Sequence, residues 1–101
     1  LLGANTSSLR YKEDVKDMPD TSWIYDLRPV DFKWKESNTR SWGLIAEEVE
    51  VIEKRLVTYD LDGLVDGVTY SKLVPLLLKA IQELSAKNDA LEARILTLES
   101  A

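Results

Sequence analysis

The chain has 101 residues, a formal net charge of −5, and neither cysteine nor histidine. This composition excludes disulfides, serine protease chemistry that uses a histidine base, and most catalytic zinc sites, so we expect no cofactor and no metal. The acidic balance gives no reason to expect nucleic acid or an anionic membrane as a partner, and no apolar run is long enough to span a bilayer. A core this small favours stabilisation by association with other chains.

The N-terminal third begins without periodicity, and residues 1–8 are interpreted as an extended linker. Asp20 can cap a short helix that holds Trp23, Ile24 and Leu27. That helix should stop before Pro29, because the residue before a proline disfavours helical geometry.

A strand is predicted over residues 30–35. Val30, Phe32 and Trp34 alternate with charged residues, which is the period-two pattern of a half-buried strand. We expect these three side chains to face the core and Lys33 to face solvent.

Apolar residues at helical spacing follow in the segment 45–56 and predict an amphipathic surface helix. The apolar positions are Ile45, Val49, Ile52 and Leu56. Three carboxylates, Glu47, Glu48 and Glu50, fall on its polar side and are interpreted as a solvated face rather than as an acid–base site.

Two apolar segments, 57–61 and 64–70, flank Asp62-Gly63, a dipeptide that favours a tight hairpin turn. Asp60, Asp62 and Asp66 raise the alternative of a calcium loop. The further ligands that such a loop needs at set positions are missing, so the hairpin turn is the preferred interpretation.

The last third is predicted to be a helix from about 72 to 99, with Ser71 as its cap and Pro75 in its first turn. A pair of heptad positions, a and d, recurs every seven residues along this helix and is apolar except at one a position. This repeat predicts an intermolecular coiled coil. The seam consists of Val74, Leu77, Ile81, Leu84, Asn88, Leu91, Ile95 and Leu98. β-branched residues at a, leucine at d and Asn88 at a favour a parallel dimer by the usual rules.

Ser7 and Lys12 stand five residues apart and could form a serine–lysine dyad. A lysine must lose its proton to act as a base, which demands burial or a nearby cation, and Arg10 could provide part of that. As a bare pattern this spacing is common, and a solvated charged turn is the alternative interpretation.

Four motifs occur in one order along the chain. They are residues 7–15 (SSLRYKEDV), 27–35 (LRPVDFKWK), 43–50 (GLIAEEVE) and 68–84 (VTYSKLVPLLLKAIQEL). In this order they resemble the C-terminal intramolecular chaperone domain of bacteriophage tailspikes, endosialidases and tail fibres. The chain departs from the pattern at Ser8, where aspartate usually follows the nucleophile, and at Glu47, where the helix motif has glutamine.

The resemblance implies an α+β fold with a small sheet, packed helices and a long C-terminal coiled-coil helix, forming a homotrimer. It implies that residues 1–6 end an upstream fibre, that 7–71 form the chaperone core, and that 72–101 form the trimerisation helix. Because the chain does not begin with methionine, we expect a piece of a longer protein.

The resemblance also implies a function: the trimer registers an upstream β-rich fibre of the same polypeptide and then releases itself by autoproteolysis beside Ser7. Carried over by position, Ser7 is the nucleophile and Lys12 the general base. Assembly would take place in the cytoplasm of the bacterial host, and the upstream product would enter the virion tail. The alternative is a permanent, non-cleaving trimerisation cap or a receptor-binding tip.

Overall fold

The structure is a computed structural model that describes residues 6–100. Its helices and strands, in chain order, are β1 (Val30–Lys33), β2 (Arg40–Gly43), α1 (Ala46–Ile52), β3 (Val57–Tyr59), β4 (Val65–Val68) and α2 (Leu73–Glu99). Short 3₁₀ turns lie at Leu9–Tyr11, Ser22–Asp26, Lys54–Leu56 and Tyr70–Lys72. The predicted α+β class is confirmed, with the strands divided between two separate hairpins. Of residues 1–6, which are predicted to end an upstream fibre, residues 1–5 lie outside the described part of the chain.

The predicted helix after Asp20 is a 3₁₀ turn rather than an α-helix. The carboxylate of Asp20 accepts hydrogen bonds from the Ser22 backbone N–H at 3.2 Å and from the Ser22 hydroxyl at 3.0 Å. The N-cap of the turn is Thr21, whose side chain makes no capping bond, so the prediction that Asp20 is the cap is wrong by one residue. Ile24 from this turn is buried in the core, and Trp23 and Leu27 pack against that core.

The first hairpin pairs β1 with β2 in an antiparallel register that sets Val30 opposite Gly43. Along β1 the predicted alternation is confirmed, since Val30 and Phe32 are half-buried while Asp31 and Lys33 are exposed. Alternation of this kind turns one face of the hairpin toward the core.

Trp34 does not follow that alternation. It lies one residue beyond β1 and is 55% exposed, with its ring edge-on to Phe32 at 4.7 Å between centroids. The prediction that Trp34 faces the core is therefore wrong for the single chain. The strand ends at Lys33 because the chain turns there. In this turn the Trp34 carbonyl accepts a hydrogen bond from the Asn38 N–H, and the backbone of Asn38 has φ +60°.

The predicted helix over 45–56 divides into α1 and the following 3₁₀ turn. Glu53 interrupts it with an extended backbone at φ −153°, and its side chain caps the turn by accepting from Arg55 N–H. Despite this break, two of the predicted apolar positions are almost completely buried, since Val49 and Leu56 are each only 2% exposed. The fully buried core consists of Ile24, Val49, Leu56, Val57 and Leu76.

The second hairpin turns at the predicted dipeptide. The Asp60 carboxylate accepts from the backbone N–H groups of Asp62 at 2.9 Å and Leu64 at 3.0 Å. Gly63 has φ +81°, a left-handed conformation that favours glycine. The Asp60 carboxylate is thus used within the turn, and among residues 6–100 no cluster of three or more acidic side chains is placed to hold a metal.

The terminal helix α2 matches its predicted bounds to within a residue, and Pro75 lies in its first turn. Ser71 does not cap it, because Ser71 lies inside the preceding 3₁₀ turn, and no side chain of the described residues caps α2. Leu76 is the residue of α2 that enters the core. The described chain extends 63 Å in its longest direction with a radius of gyration of 18.9 Å, against about 13 Å for a compact domain of this length. No described helix has the length and apolar character needed to cross a bilayer.

Candidate cleavage site and association helix

The segment that holds Ser7 and Lys12 is shaped by a single 3₁₀ turn. The Ser8 carbonyl accepts from Tyr11 N–H at 3.0 Å, and the Leu9 carbonyl accepts from Lys12 N–H at 3.0 Å. The Ser8 hydroxyl oxygen caps the turn by accepting from Arg10 N–H at 3.4 Å. The turn reverses the chain, so residues five apart in sequence lie side by side.

Within this turn the two sequence-predicted site residues meet. Lys12 Nζ donates a hydrogen bond to Ser7 Oγ at 2.9 Å. That distance is within the range in which a base can take a proton from a hydroxyl. The arrangement is therefore able to support nucleophilic chemistry at Ser7, whenever the amine is neutral.

The turn is open to water in the single chain. Residues 6–20 are all exposed, and Leu9 and Tyr11 expose 72% and 61% of their surface. The described residues of one chain supply the geometry of a dyad without the exclusion of water that lysine bases use.

Arg10 and Tyr11 form one unit on this turn. The guanidinium lies 4.6 Å from the Tyr11 ring centroid and donates to the Tyr11 hydroxyl at 2.6 Å. Arg10, the cation that the sequence places between Ser7 and Lys12, is thus directed to the tyrosine.

The chain returns from the turn to the core through residues 13–20. Met18 and Pro19 line a shallow cleft together with Trp23, Leu56 and Pro75. The end of the exposed segment therefore lies beside the start of α2.

Two of the resembling motifs are joined by an ion pair that sequence spacing does not reveal. Arg28 binds Glu48 with two hydrogen bonds, Nε to Oε1 at 3.0 Å and one terminal nitrogen to Oε2 at 2.6 Å. The hydrogen bond from Arg28 holds the pKa of Glu48 below its ordinary value. Glu48 therefore orients α1 against the segment before β1.

A second link joins the segment between β2 and α1 to the 3₁₀ turn that precedes α2. The Tyr70 hydroxyl accepts from Leu44 N–H at 3.0 Å. A side chain on Gly43 would place its Cβ 2.7 Å from that hydroxyl oxygen and 3.3 Å from the Phe32 ring. Glycine at 43 leaves room for the tyrosine hydroxyl to approach the backbone.

The interpretation of Glu47, Glu48 and Glu50 as a solvated face is correct for Glu47 and incomplete for the others. Glu48 pairs with Arg28, and Glu50 accepts from the Tyr59 hydroxyl at 2.7 Å, which raises the Tyr59 pKa. These carboxylates fasten neighbouring elements to α1, a role that only tertiary proximity discloses.

The predicted coiled-coil seam lies along a free face of α2. Its apolar members expose between 49% and 71% of their surface, and every residue from 81 to 100 is exposed. Seven large apolar side chains and Asn88 thus form a continuous uncovered stripe. An uncovered apolar stripe of this regularity is typical of a surface that binds another chain.

Comparison with known proteins identifies the family to which the chain belongs. No curated protein matches the chain. The model of a family described as chaperone of endosialidase matches residues 7–62, more than half of the chain, beginning at Ser7. The family's name also classes it as a peptidase. The resemblance noted in the sequence is confirmed, and the chain belongs to the chaperone-of-endosialidase family.

Proposed function

We propose that this chain is an intramolecular chaperone that trimerises, registers an upstream β-rich fibre of the same polypeptide, and releases itself by autoproteolysis beside Ser7. The observation that carries the proposal is the 2.9 Å hydrogen bond between Lys12 Nζ and Ser7 Oγ at the first residue of the family match. Residues 1–6 end the fibre, 7–71 form the chaperone core and 72–101 the trimerisation helix. Assembly takes place in the host cytoplasm of a bacteriophage, and the released fibre enters the virion tail.

The chemical step needs neutral Lys12. Its amine takes the proton from Ser7 Oγ as the oxygen attacks a neighbouring backbone carbonyl carbon. The tetrahedral intermediate collapses to an ester, and the departing amine receives the proton from Lys12. Water then hydrolyses the ester, so one peptide bond is cut and one water is consumed.

Ring size selects the bond. Attack by Ser7 Oγ on its own carbonyl would close a strained four-membered ring, whereas attack on the Thr6 carbonyl closes a five-membered ring. The bond between Thr6 and Ser7 is therefore the one assigned to cleavage.

Because Ser7 and Lys12 are exposed in one chain, assembly of several chains is expected to cover them. Lysine acts as a general base where burial favours its neutral form, so the cut requires that further protein surface cover the turn. Neighbouring copies brought together by α2 supply that surface. Cleavage then follows assembly, which is the order that a chaperone for a fibre needs.

The physical benefit lies in the folding of the fibre. β-rich trimeric stalks depend on non-local contacts between chains, so they nucleate slowly and misregister easily. A terminal trimeriser raises the effective concentration of the three chains. Removing it after assembly leaves the fibre kinetically trapped.

A second candidate function is a permanent, non-cleaving trimerisation cap or a receptor-binding tip. Two observations favour it: the solvent exposure of the dyad and the departures from the family pattern at Ser8 and Glu47. In this case the chain would keep its helix and its core attached to the fibre.

Mass spectrometry of this domain behind about 100 residues of its natural upstream sequence separates the two functions. Ser7→Ala and Lys12→Ala should each abolish a cut at residue 7 that the unaltered chain makes. Lys16→Ala is a matched control that removes a lysine side chain four residues away, and should still cleave. An unaltered chain that stays intact as an assembled trimer supports the permanent cap, and cutting by Ser7→Ala overturns the dyad.

Two conditions should control the cut. Its rate should fall as pH is lowered, because protonated lysine cannot accept the serine proton. Dilution below the dissociation constant of the assembly should suppress cleavage per chain. Cutting by dissociated chains at an unchanged rate would contradict the requirement for assembly.

A further inference from the structure

Six of the seven charged residues of α2 fall into two groups, and Asp89 belongs to neither. On the outer face Lys79 forms an ion pair with Glu83, four residues away in the same helix. A second group, Lys87, Glu92, Arg94 and Glu99, is exposed, and none of its members takes part in an ion pair among residues 6–100.

The spacing of the second group does not suit pairing within one helix. Side chains on a helix meet at separations of three and four residues. Glu92, Arg94 and Glu99 have no opposite charge at either separation, and the only one available to Lys87 is Glu83, which binds Lys79. Instead, each cation stands five residues before a carboxylate.

A separation of five has a specific meaning beside a heptad seam. With Asn88 at a, the two cations Lys87 and Arg94 occupy g positions, and the two carboxylates occupy e positions. Residues at e and g flank the seam and set the partner and orientation of coiled-coil helices. In parallel helices g faces the e position of the next heptad, five residues on, in the neighbouring copy.

We propose that Lys87 and Arg94 of one copy pair with Glu92 and Glu99 of the neighbouring copy, and thereby fix parallel, in-register association of α2. This inference rests on the proposed self-association. In antiparallel helices g would face g and e would face e, so cations would meet cations and carboxylates would meet carboxylates.

Register follows from the same residues. A shift of one heptad in either direction loses one of the two pairs at each interface. It also sets Asn88 against an apolar a residue instead of against Asn88 of the neighbour, which leaves the buried amide without its partner.

Parallel, in-register helices have a consequence for the other end of the chain. The residue of α2 that enters the core, Leu76, lies in its first turn, so all cores lie together at one end of the assembly. The turns that carry Ser7 then lie at one level, and upstream chains leave the assembly in a common register.

Charge reversal tests the pairing. Lys87→Glu/Arg94→Glu should raise the dissociation constant roughly tenfold or more, because attraction becomes repulsion at every interface. Adding Glu92→Lys/Glu99→Lys to the same chain makes the facing charges opposite again and should return the dissociation constant to its original value. Lys33→Glu/Lys35→Glu makes the same change in net charge at exposed residues outside α2, and should have little effect. Salt at about 0.5 M should shrink the difference between the reversed and original chains.

Engineered cysteines test orientation, since the chain has none of its own. In an oxidised mixture of Val74→Cys and Leu98→Cys chains, parallel helices should link only 74 to 74 and 98 to 98. Links between 74 and 98, an unchanged dissociation constant on charge reversal, or no rescue by the fourfold exchange would each overturn the proposal while leaving self-association intact. A chain that is monomeric at all concentrations would instead overturn the proposed trimer, and this proposal with it.

Discussion

The core and the outer part of α2 use the same residue type in opposite ways. Leu56 and Leu76 are 2% and 8% exposed, enclosed by elements that are distant in sequence. Leu84 and Leu91 are 60% and 55% exposed, with no covering element in the described chain. Leucine in the core stabilises one chain, whereas leucine on the seam is available to stabilise a contact between chains.

This difference separates two tasks along the sequence. The core is held by contacts that one chain completes by itself, including Arg28 with Glu48 and Tyr70 with Leu44. The helix beyond residue 80 carries a repeat that one chain leaves uncovered. Substitutions that disturb one region should therefore leave the other region's task largely intact.

The largest effect is expected on the seam. Leu84→Asp/Leu91→Asp should raise the dissociation constant of the assembly roughly hundredfold or more, because unpaired charges would be buried at every interface. Sedimentation equilibrium measures it, with a trimer expected for the unaltered chain.

A control uses the same helix. Leu96 is 64% exposed, as open as the seam leucines in one chain, but it lies outside the a/d repeat. Leu96→Asp should leave the assembly intact. Equal weakening by Leu96→Asp would contradict the seam, and a dimer of the unaltered chain would contradict the trimer.

The second effect concerns the core. Leu56→Ala should lower the free energy of unfolding by about 2–5 kcal/mol, because it leaves a cavity at a fully enclosed site. Leu61→Ala removes the same atoms from a fully exposed side chain. It should change the free energy of unfolding by less than about 0.5 kcal/mol. Urea unfolding of both variants decides this, and similar midpoints would refute the assigned core.

The third effect concerns Asn88. A polar residue at an a position lowers stability but restricts register and oligomer number. Asn88→Ile should raise the melting temperature and broaden the distribution of oligomers seen in sedimentation. Gln82→Ile adds the same side chain outside the seam and should do neither. A lower melting temperature with one oligomeric state would contradict the role given to Asn88.

The smallest effect is the pH dependence of the Arg28–Glu48 pair. Because folding lowers the pKa of Glu48, its stabilisation is present above the range in which an unfolded glutamate titrates and is lost as pH falls through the folded value. Glu48→Gln should therefore lower stability at neutral pH and make no difference in acid. Glu47→Gln, the neighbouring exposed carboxylate, should show no such difference between the two conditions. Equal losses at both pH values would contradict the pair.

Local patterns determined much of this protein from sequence. The period of two in β1, the Asp62-Gly63 turn and the heptads of α2 predicted elements that the structure contains, because each depends on residues near one another in the chain. The four motifs also identified the family, and the pairing of Ser7 with Lys12 needs only the short turn between them.

Tertiary structure decided the rest. Trp34 leaves the core because the chain turns after β1, and the predicted helix breaks at Glu53 so that Leu56 can enter the core. The partners of Glu48 and Tyr70 are more than a dozen residues away, and no local period encodes such contacts. A sequence specifies which surfaces a segment offers, while the folded chain selects which of them meet, because burial and pairing are properties of residues brought together in space.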